Sequence, residues 1–304
     1  MRLSRVRKLV QAATFAAFLV LLVRARSLSG LGVPVEAFPR MSPFSALAAA
    51  FASRRITCIS GVAVLVALSA VLLGRFFCGW VCPMGTTLDV TDRLLKPWRR
   101  EGRRVYDGRR AKYYLLALLL LLALLGVQWA GLFDPLSLGT RTYGLAVQPW
   151  ATRGIDETLR VGAALPVVGR AAENVRVGLA GALDAHPPPT YRQHGVILLV
   201  FVVVVLLGLL RTRYWCRNLC PLGAMLGLAS LRHVLKRSVS DQCISCHKCE
   251  RACPMGCITD GGKGTMAGEC ILCLRCQEVC PTDCLLYTSP SPRDLSTSRM
   301  PSSA

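Results

Sequence analysis

Acidic residues and histidines are scarce in this 304-residue chain. Asp and Glu together number 17 against 37 Lys and Arg, and charged residues make up only 18% of a sequence that is 53% hydrophobic. So few charges fit poorly with a water-exposed surface, and they indicate a membrane protein. The four histidines are His186, His194, His233 and His247. None lies inside a long apolar run, so membrane haem held by two histidines is not expected.

Four apolar runs are candidates for membrane spans. Residues 56–74 and 113–133 are close to the ~20 residues that a helix needs to cross a bilayer. The runs at 195–210 and 9–23 are shorter or weaker. We therefore predict an α-helical membrane protein with about four transmembrane helices.

Basic residues are concentrated beside these runs. Segments 1–8, 75–112 and 211–237 carry 20 Lys and Arg in 73 residues, whereas segments 24–55 and 134–194 carry 11 in 93. Positive loops stay on the cytoplasmic side, so the chain is predicted to be multi-pass with both termini cytoplasmic. Because most of the basic residues lie beside apolar runs, membrane lipid is the expected partner for most of the +20 charge. Nucleic acid is not an expected partner.

A tandem cysteine repeat follows residue 240. The pattern C-x2-C-x2-C-x3-C-P occurs twice, 27 residues apart. Three thiolates on one such loop can hold three corners of a [4Fe-4S] cube, while the fourth cysteine of each run ligates the other cube. The predicted ligands are Cys243, Cys246, Cys249 and Cys280 for cluster 1, and Cys270, Cys273, Cys276 and Cys253 for cluster 2. Zinc is the alternative, but it usually takes two separated cysteine pairs.

A second pair of motifs borders the predicted spans. RFFCGWVCPMG at 75–85 and RYWCRNLCPLG at 213–223 each contain C-x3-C-P. If each motif continues as a helix, its two cysteines lie one turn apart on the same face. The thiols of Cys78, Cys82, Cys216 and Cys220 are then a candidate additional site for one shared metal or cluster. A redox-active dithiol and a structural role at the helix ends are the alternatives.

Residues 240–286 resemble bacterial-type two-cluster ferredoxins in their cysteine runs. With the two C-x3-C-P motifs on a four-span core, the chain resembles membrane ferredoxin-type subunits of the NapH/MauN type, and it is similar to the membrane iron-sulfur regions of NosR-like and CcoG-like proteins. The resemblance implies electron transfer from the quinol pool, through cytoplasmic-side clusters, to a partner oxidoreductase. Such a chain is an electron-transfer subunit of a quinol dehydrogenase-type system in the bacterial inner membrane. The alternative is an assembly or maturation factor that supplies electrons or handles metal for a metalloenzyme.

Three regions are expected along the chain. Residues 1–237 form the transmembrane domain with both C-x3-C-P motifs, and residues 238–286 form an α+β ferredoxin-type domain with two [4Fe-4S] clusters. Residues 287–304 are dominated by Ser and Pro and have no helical or strand period. This composition indicates a disordered tail or a non-native end.

Overall fold

Helices dominate the structure as far as residue 229. The computed structural model describes residues 3–24, 37–55, 60–99, 107–163, 169–183 and 194–288. The helices of this part are α1 (Leu3–Arg24), α2 (Ala37–Arg40), α3 (Pro43–Ser53), α4 (Gly61–Leu73), α5 (Phe76–Trp80), α6 (Pro83–Leu95), α7 (Ala111–Leu124), α8 (Ala130–Phe133), α9 (Pro135–Arg141), α10 (Gln148–Ala163), α11 (Gly169–Leu183), α12 (His194–Leu206), α13 (Tyr214–Asn218) and α14 (Pro221–Ala229). The predicted helical architecture is confirmed.

One helix among the described residues is long and apolar enough to cross a membrane, Ser4–Val23 within α1. The other predicted runs hold shorter apolar helices, such as α4 with 13 residues and α7 with 14. At 1.5 Å per residue, 13 residues measure about 20 Å, less than the ~30 Å of a hydrocarbon core. The Ser60 hydroxyl accepts a hydrogen bond from the Ala63 amide and begins α4 there, and Gly126, at φ +86°, follows the end of α7. Four spans therefore stay a prediction.

Strands and two short helices form the cysteine-rich region. Its elements are β1 (Lys236–Val239), α15 (Lys248–Ala252), β2 (Ile258–Thr259), β3 (Gly264–Thr265), α16 (Arg275–Glu278) and β4 (Leu285–Thr288). β1 pairs antiparallel with β4, with Val239 opposite Leu285, and β2 pairs antiparallel with β3. β1 begins at Lys236 and β4 ends at Thr288, so the paired strands extend past the predicted limits of 238 and 286. Those domain limits stay a prediction. Residues 289–304 of the predicted tail lie outside the described residues.

One hydrophobic core joins the helices to the cysteine-rich region. α7 lies against α3 and α14, and α6 lies against α1. Phe44, Met84 and Leu222 of the helices belong to the same core as Met255 and Ile271 of the cysteine-rich region. Burying apolar surface contributes about 25 cal/mol per Å². The cysteine-rich region is therefore packed on the helices and not merely attached to them.

Candidate iron-sulfur sites

Two cavities in the cysteine-rich region each collect cysteines from both repeats. The proximal cavity is lined by Cys253, Cys257, Cys270, Cys273 and Cys276. The distal cavity is lined by Cys243, Cys246, Cys249, Cys280 and Cys284. Each cavity therefore brings together one predicted set of four ligands, and the fourth cysteine of each set comes from the other repeat.

The two cysteine runs repeat each other in backbone conformation as well as in sequence. Ser245 and its counterpart Leu272 have φ of +50° and +49°, and His247 and its counterpart Leu274 have φ of +57° and +60°. Non-glycine residues take this left-handed conformation only where the surrounding structure requires it. Two such turns in each run bring its first three thiols to one cavity.

The surroundings of the thiols fit a [4Fe-4S] cluster in each cavity. Cys257 and the backbone N–H of Leu272 lower the pKa of the Cys270 thiol, which favours the thiolate that a cluster requires. Gly262 has φ +99°, and a Cβ there would lie 2.8 Å from the Cys249 sulfur. The chain thus leaves space beside the thiols that a larger residue would occupy.

Cys257 and Cys284 lie beside the crossing cysteines. The Cys257 sulfur is 3.5 Å from that of Cys253, and the Cys284 sulfur is 3.4 Å from that of Cys280. Both side chains are buried. Small, buried thiols at these positions fill the cavity walls as hydrophobic residues do.

Arg237 lies between the two cavities. Its guanidinium donates to the Gly262 carbonyl at 2.6 Å, lies 3.8 Å from the Cys249 sulfur of the distal cavity, and lines the proximal cavity. On the proximal side, the Tyr287 hydroxyl is 3.1 Å from the Cys276 sulfur. One fixed positive charge therefore lies beside both thiol sets.

The first C-x3-C-P motif contacts the second ligand loop directly. The Trp80 indole N–H donates to the Leu272 carbonyl at 3.0 Å. A Cβ on Gly79 would lie 2.3 Å from the Ile271 carbonyl oxygen, so this approach requires glycine. The loop between Cys270 and Cys273 therefore packs on the turn that follows Cys78.

The second C-x3-C-P motif borders the segment after Cys253. The Thr212 hydroxyl donates to the Pro254 carbonyl at 3.2 Å, and Arg109 donates to the Gly256 carbonyl. A Cβ on Gly256 would lie 2.7 Å from the guanidinium of Arg217. Both motifs thus contact segments that line the proximal cavity. This cavity is therefore the nearer of the two to the C-x3-C-P motifs.

The helix expected through each C-x3-C-P motif is interrupted, which corrects that expectation. Cys82 has φ −62° and ψ 118°, and Cys220 has φ −69° and ψ 113°, both extended. Each precedes a proline, which disfavours helical backbone at the residue before it, and new helices begin at Pro83 and Pro221. All four predicted thiols, those of Cys78, Cys82, Cys216 and Cys220, are buried.

Two buried arginines join the motifs reciprocally. Arg213, which begins the second C-x3-C-P motif, donates to the Cys78 carbonyl at 3.1 Å. Arg75, which begins the first, donates to the Cys216 carbonyl at 3.2 Å. The two motifs are therefore held side by side. Within the described residues, no group of three or more His, Cys, Asp or Glu side chains is arranged to hold a single metal ion.

Cations outnumber carboxylates around the C-x3-C-P motifs. The contacts are those of Arg7, Arg213 and Arg275 with Asp89, and of Arg75 and Lys112 with Glu269. Burial raises the pKa of Asp89, but Arg213 and its fellow arginines outweigh burial and hold that pKa well below its usual range. Asp89 is therefore a carboxylate. Surplus positive charge lies beside the motifs, but burial outweighs it at the thiols and raises the pKa values of Cys82, Cys216 and Cys220.

Sequence comparisons show similarity to iron-sulfur proteins. The model of a family described as a 4Fe-4S binding domain matches residues 55–101 and 193–239, the segments that carry the C-x3-C-P motifs. The ferredoxin-type protein NapH of Haemophilus influenzae is 26% identical over 64% of this chain and 52% of its own length. The methylamine utilization ferredoxin-type protein MauN of Paracoccus denitrificans is 26% identical over 70% of this chain and 60% of its own length. The chain is therefore similar to ferredoxin-type proteins of the NapH/MauN type.

One relative is named for electron transport. YccM of Escherichia coli K12, whose name describes an electron transport protein, is 26% identical over 61% of this chain and 43% of its own length. The chain spans about half the length of the relatives it matches. No solved structure matches it. By their names, these relatives are ferredoxin-type and electron transport proteins.

Sequence reasoning missed the residues that connect the cysteine sites of this protein. Trp80 contacts a ligand loop 192 residues further along the chain, and Arg237 contacts Cys249 of α15. No local pattern marks such contacts. A signal did exist for Arg75 and Arg213, because each stands three residues before the first cysteine of a repeated motif.

Proposed function

We propose that this iron-sulfur protein is membrane-bound and relays electrons between the quinol pool and a partner oxidoreductase. Two [4Fe-4S] clusters on the cytoplasmic side carry the relay. Each cluster, when bound, takes up and releases one electron. The observation that carries the proposal is the position of the proximal cavity. Segments that line it contact both C-x3-C-P regions, and Arg237 lies between it and the distal cavity.

The eight cysteines of the tandem repeat hold the clusters in this proposal. Cys270, Cys273, Cys276 and Cys253 hold one in the proximal cavity, and Cys243, Cys246, Cys249 and Cys280 hold one in the distal cavity. The lining of the two cavities supports this crossed division. Arg237 supplies positive charge to both thiol sets from its position between them.

The C-x3-C-P cysteines hold a third cluster in the same proposal. Two features support it: the family model for 4Fe-4S binding matches the segments of these motifs, and fully buried Arg75 and Arg213 bring surplus positive charge to them. An isolated buried cation is costly, and four thiolates around a cluster supply compensating negative charge. These arginines also hold the motifs together, so their charge and their hydrogen bonds act at the same place.

Membrane attachment in the proposal involves more than α1. The short apolar helices α4, α7 and α12 expose large hydrophobic side chains, among them Leu65, Leu118 and Leu199. Exposed apolar faces of this extent are unfavourable in water and suit contact with membrane lipid. The basic segments next to these helices then lie on the cytoplasmic side, with both termini.

Reduction by quinol tests the proposal. The protein is purified without oxygen, placed in lipid nanodiscs with its clusters oxidised, and mixed with menaquinol or ubiquinol. Electron paramagnetic resonance (EPR) should then detect at least one reduced [4Fe-4S] cluster. If no cluster responds to either quinol at any poised potential, the quinol relay is refuted, and an assembly factor that takes its electrons elsewhere becomes the better account.

A further inference from the structure

An apolar groove lies where the helices meet the second ligand loop. It measures about 450 Å³ and is larger than either cysteine cavity. Leu73 at the end of α4 lines it together with Phe76 and Trp80 of α5, and Leu272 and Leu274 of the ligand loop line its other side. Ligand pockets in proteins are mostly apolar and of this size.

The wall of the groove formed by α5 is aromatic and rigid. The rings of Phe76 and Trp80 stack with centroids 4.9 Å apart and planes 29° from parallel. The hydrogen bond from the Trp80 indole to the Leu272 carbonyl fixes the ring against the ligand loop. Gln277 of α16 adds an exposed polar side chain to the lining. A flat ring that carries hydrogen-bond acceptors matches this combination better than an acyl chain does.

The mouth of the groove opens on an apolar surface. Leu73 is 37% exposed, and Leu72, Val234 and Leu286 nearby are also exposed. The Leu72 carbonyl accepts hydrogen bonds from the Val234 and Leu235 amides, so this rim is tied to the end of α4. A rim of exposed leucines at the end of an apolar helix favours entry of a lipid-soluble ligand over a water-soluble one.

Both cysteine sets are next to the groove. Phe76 and Trp80 each stand two residues from Cys78 of the first C-x3-C-P motif. On the opposite side, Leu272 and Leu274 flank Cys273 of the proximal cavity. A ring bound here would therefore lie beside both sites at which the chain is proposed to hold clusters.

We propose that this groove binds the ring of a lipid-soluble quinone. The inference rests on the proposed quinol relay and gives it a location. Phe76 and Trp80 stack on the ring, the Gln277 amide donates a hydrogen bond to a ring carbonyl, and the isoprenoid tail leaves past Leu73 into the lipid.

Photolabelling tests the site without relying on electron transfer. Full-length protein in nanodiscs is irradiated with an azido-ubiquinone, and the labelled peptides are identified by mass spectrometry. Label is expected in the segments 73–80 and 272–277, and unlabelled ubiquinone should displace it. Leu73→Trp, which places a bulky ring in the groove, should lower this labelling about tenfold. Leu65→Trp is the matched control, because Leu65 is exposed on the same helix and does not line the groove.

Three outcomes overturn the inference: label that falls elsewhere, equal loss in the two tryptophan variants, or a photoreactive fatty acid that labels the groove and is not displaced by ubiquinone. Failure of the quinol relay is a separate result. In that case the groove labels as expected, but quinol reduces no cluster. Conversely, if quinol reduces the clusters while the groove stays unlabelled, the relay stands and this location is wrong.

Discussion

The proximal and distal cavities are lined by matching cysteines of one duplicated motif, yet their surroundings differ. The proximal cavity meets Trp80 and Thr212 of the C-x3-C-P regions through the segments that line it. The distal cavity is bordered by Ile244, which is 66% exposed. Duplication therefore supplied two similar sites, and packing on the helices made them unequal. In the proposed relay the proximal site exchanges electrons with the membrane side, and the distal site faces the partner.

The largest expected effect separates the two cavities by their crossing cysteines. Cys253→Ala should remove the proximal cluster, although Cys253 belongs to the first run, and Cys280→Ala should remove the distal one. Each variant should lose about four iron atoms. Iron analysis and EPR at controlled potential provide the measurement. If Cys253→Ala instead abolishes the cluster held by Cys243, Cys246 and Cys249, each run closes its own cube and the crossed assignment is wrong.

The next effect concerns the C-x3-C-P cysteines. Anaerobically purified protein should contain about twelve iron atoms and as many acid-labile sulfides, and Cys216→Ala should lower both to about eight. The two ferredoxin-type EPR signals should persist in this variant, but quinol should no longer reduce them. Cys58→Ala is the control, because Cys58 lies outside every motif. If the wild-type protein contains only about eight iron atoms, the C-x3-C-P cysteines have a structural or dithiol role. Zinc in place of iron would refute the clusters altogether.

The cysteine sets were predictable because their spacing is local, whereas their surroundings were not. Runs of four cysteines define which thiols share a loop, and the crossing rule follows from the fold's duplication. The break at Cys82 was also readable, since Pro83 follows it. By contrast, Arg7 contacts the carbonyls of Gly79 and Cys273 from 72 and 266 residues away, and only tertiary packing brings such groups together. The number of spans stays a prediction, because hydropathy does not reveal where a helix ends.

A smaller effect tests whether the buried charges stabilise the proximal side. Asp89→Asn removes the carboxylate that Arg7, Arg213 and Arg275 contact. Breaking a buried ion pair in this way costs about 3 kcal/mol, because the cations remain buried. The melting temperature in detergent should therefore fall clearly. Glu173→Gln, which breaks the exposed pair with Arg176, is the matched control and should leave it unchanged. Similar melting temperatures for the two variants would contradict a stabilising role for this network.

The smallest expected effect belongs to the fifth cysteine of each cavity. Cys257 lies 3.5 Å from Cys253 and Cys284 lies 3.4 Å from Cys280, sulfur to sulfur, and both are buried. If they only fill the cavity wall, replacing either with Ala should keep both clusters and lower stability by about 1 kcal/mol. Iron content and both EPR signals should match the wild type. Loss of the proximal signal in Cys257→Ala, with the distal signal kept, would instead make Cys257 a ligand. The proximal cavity would then differ from the distal one in its ligand set as well as in its position, and Cys284→Ala would show whether the distal cavity shares that difference.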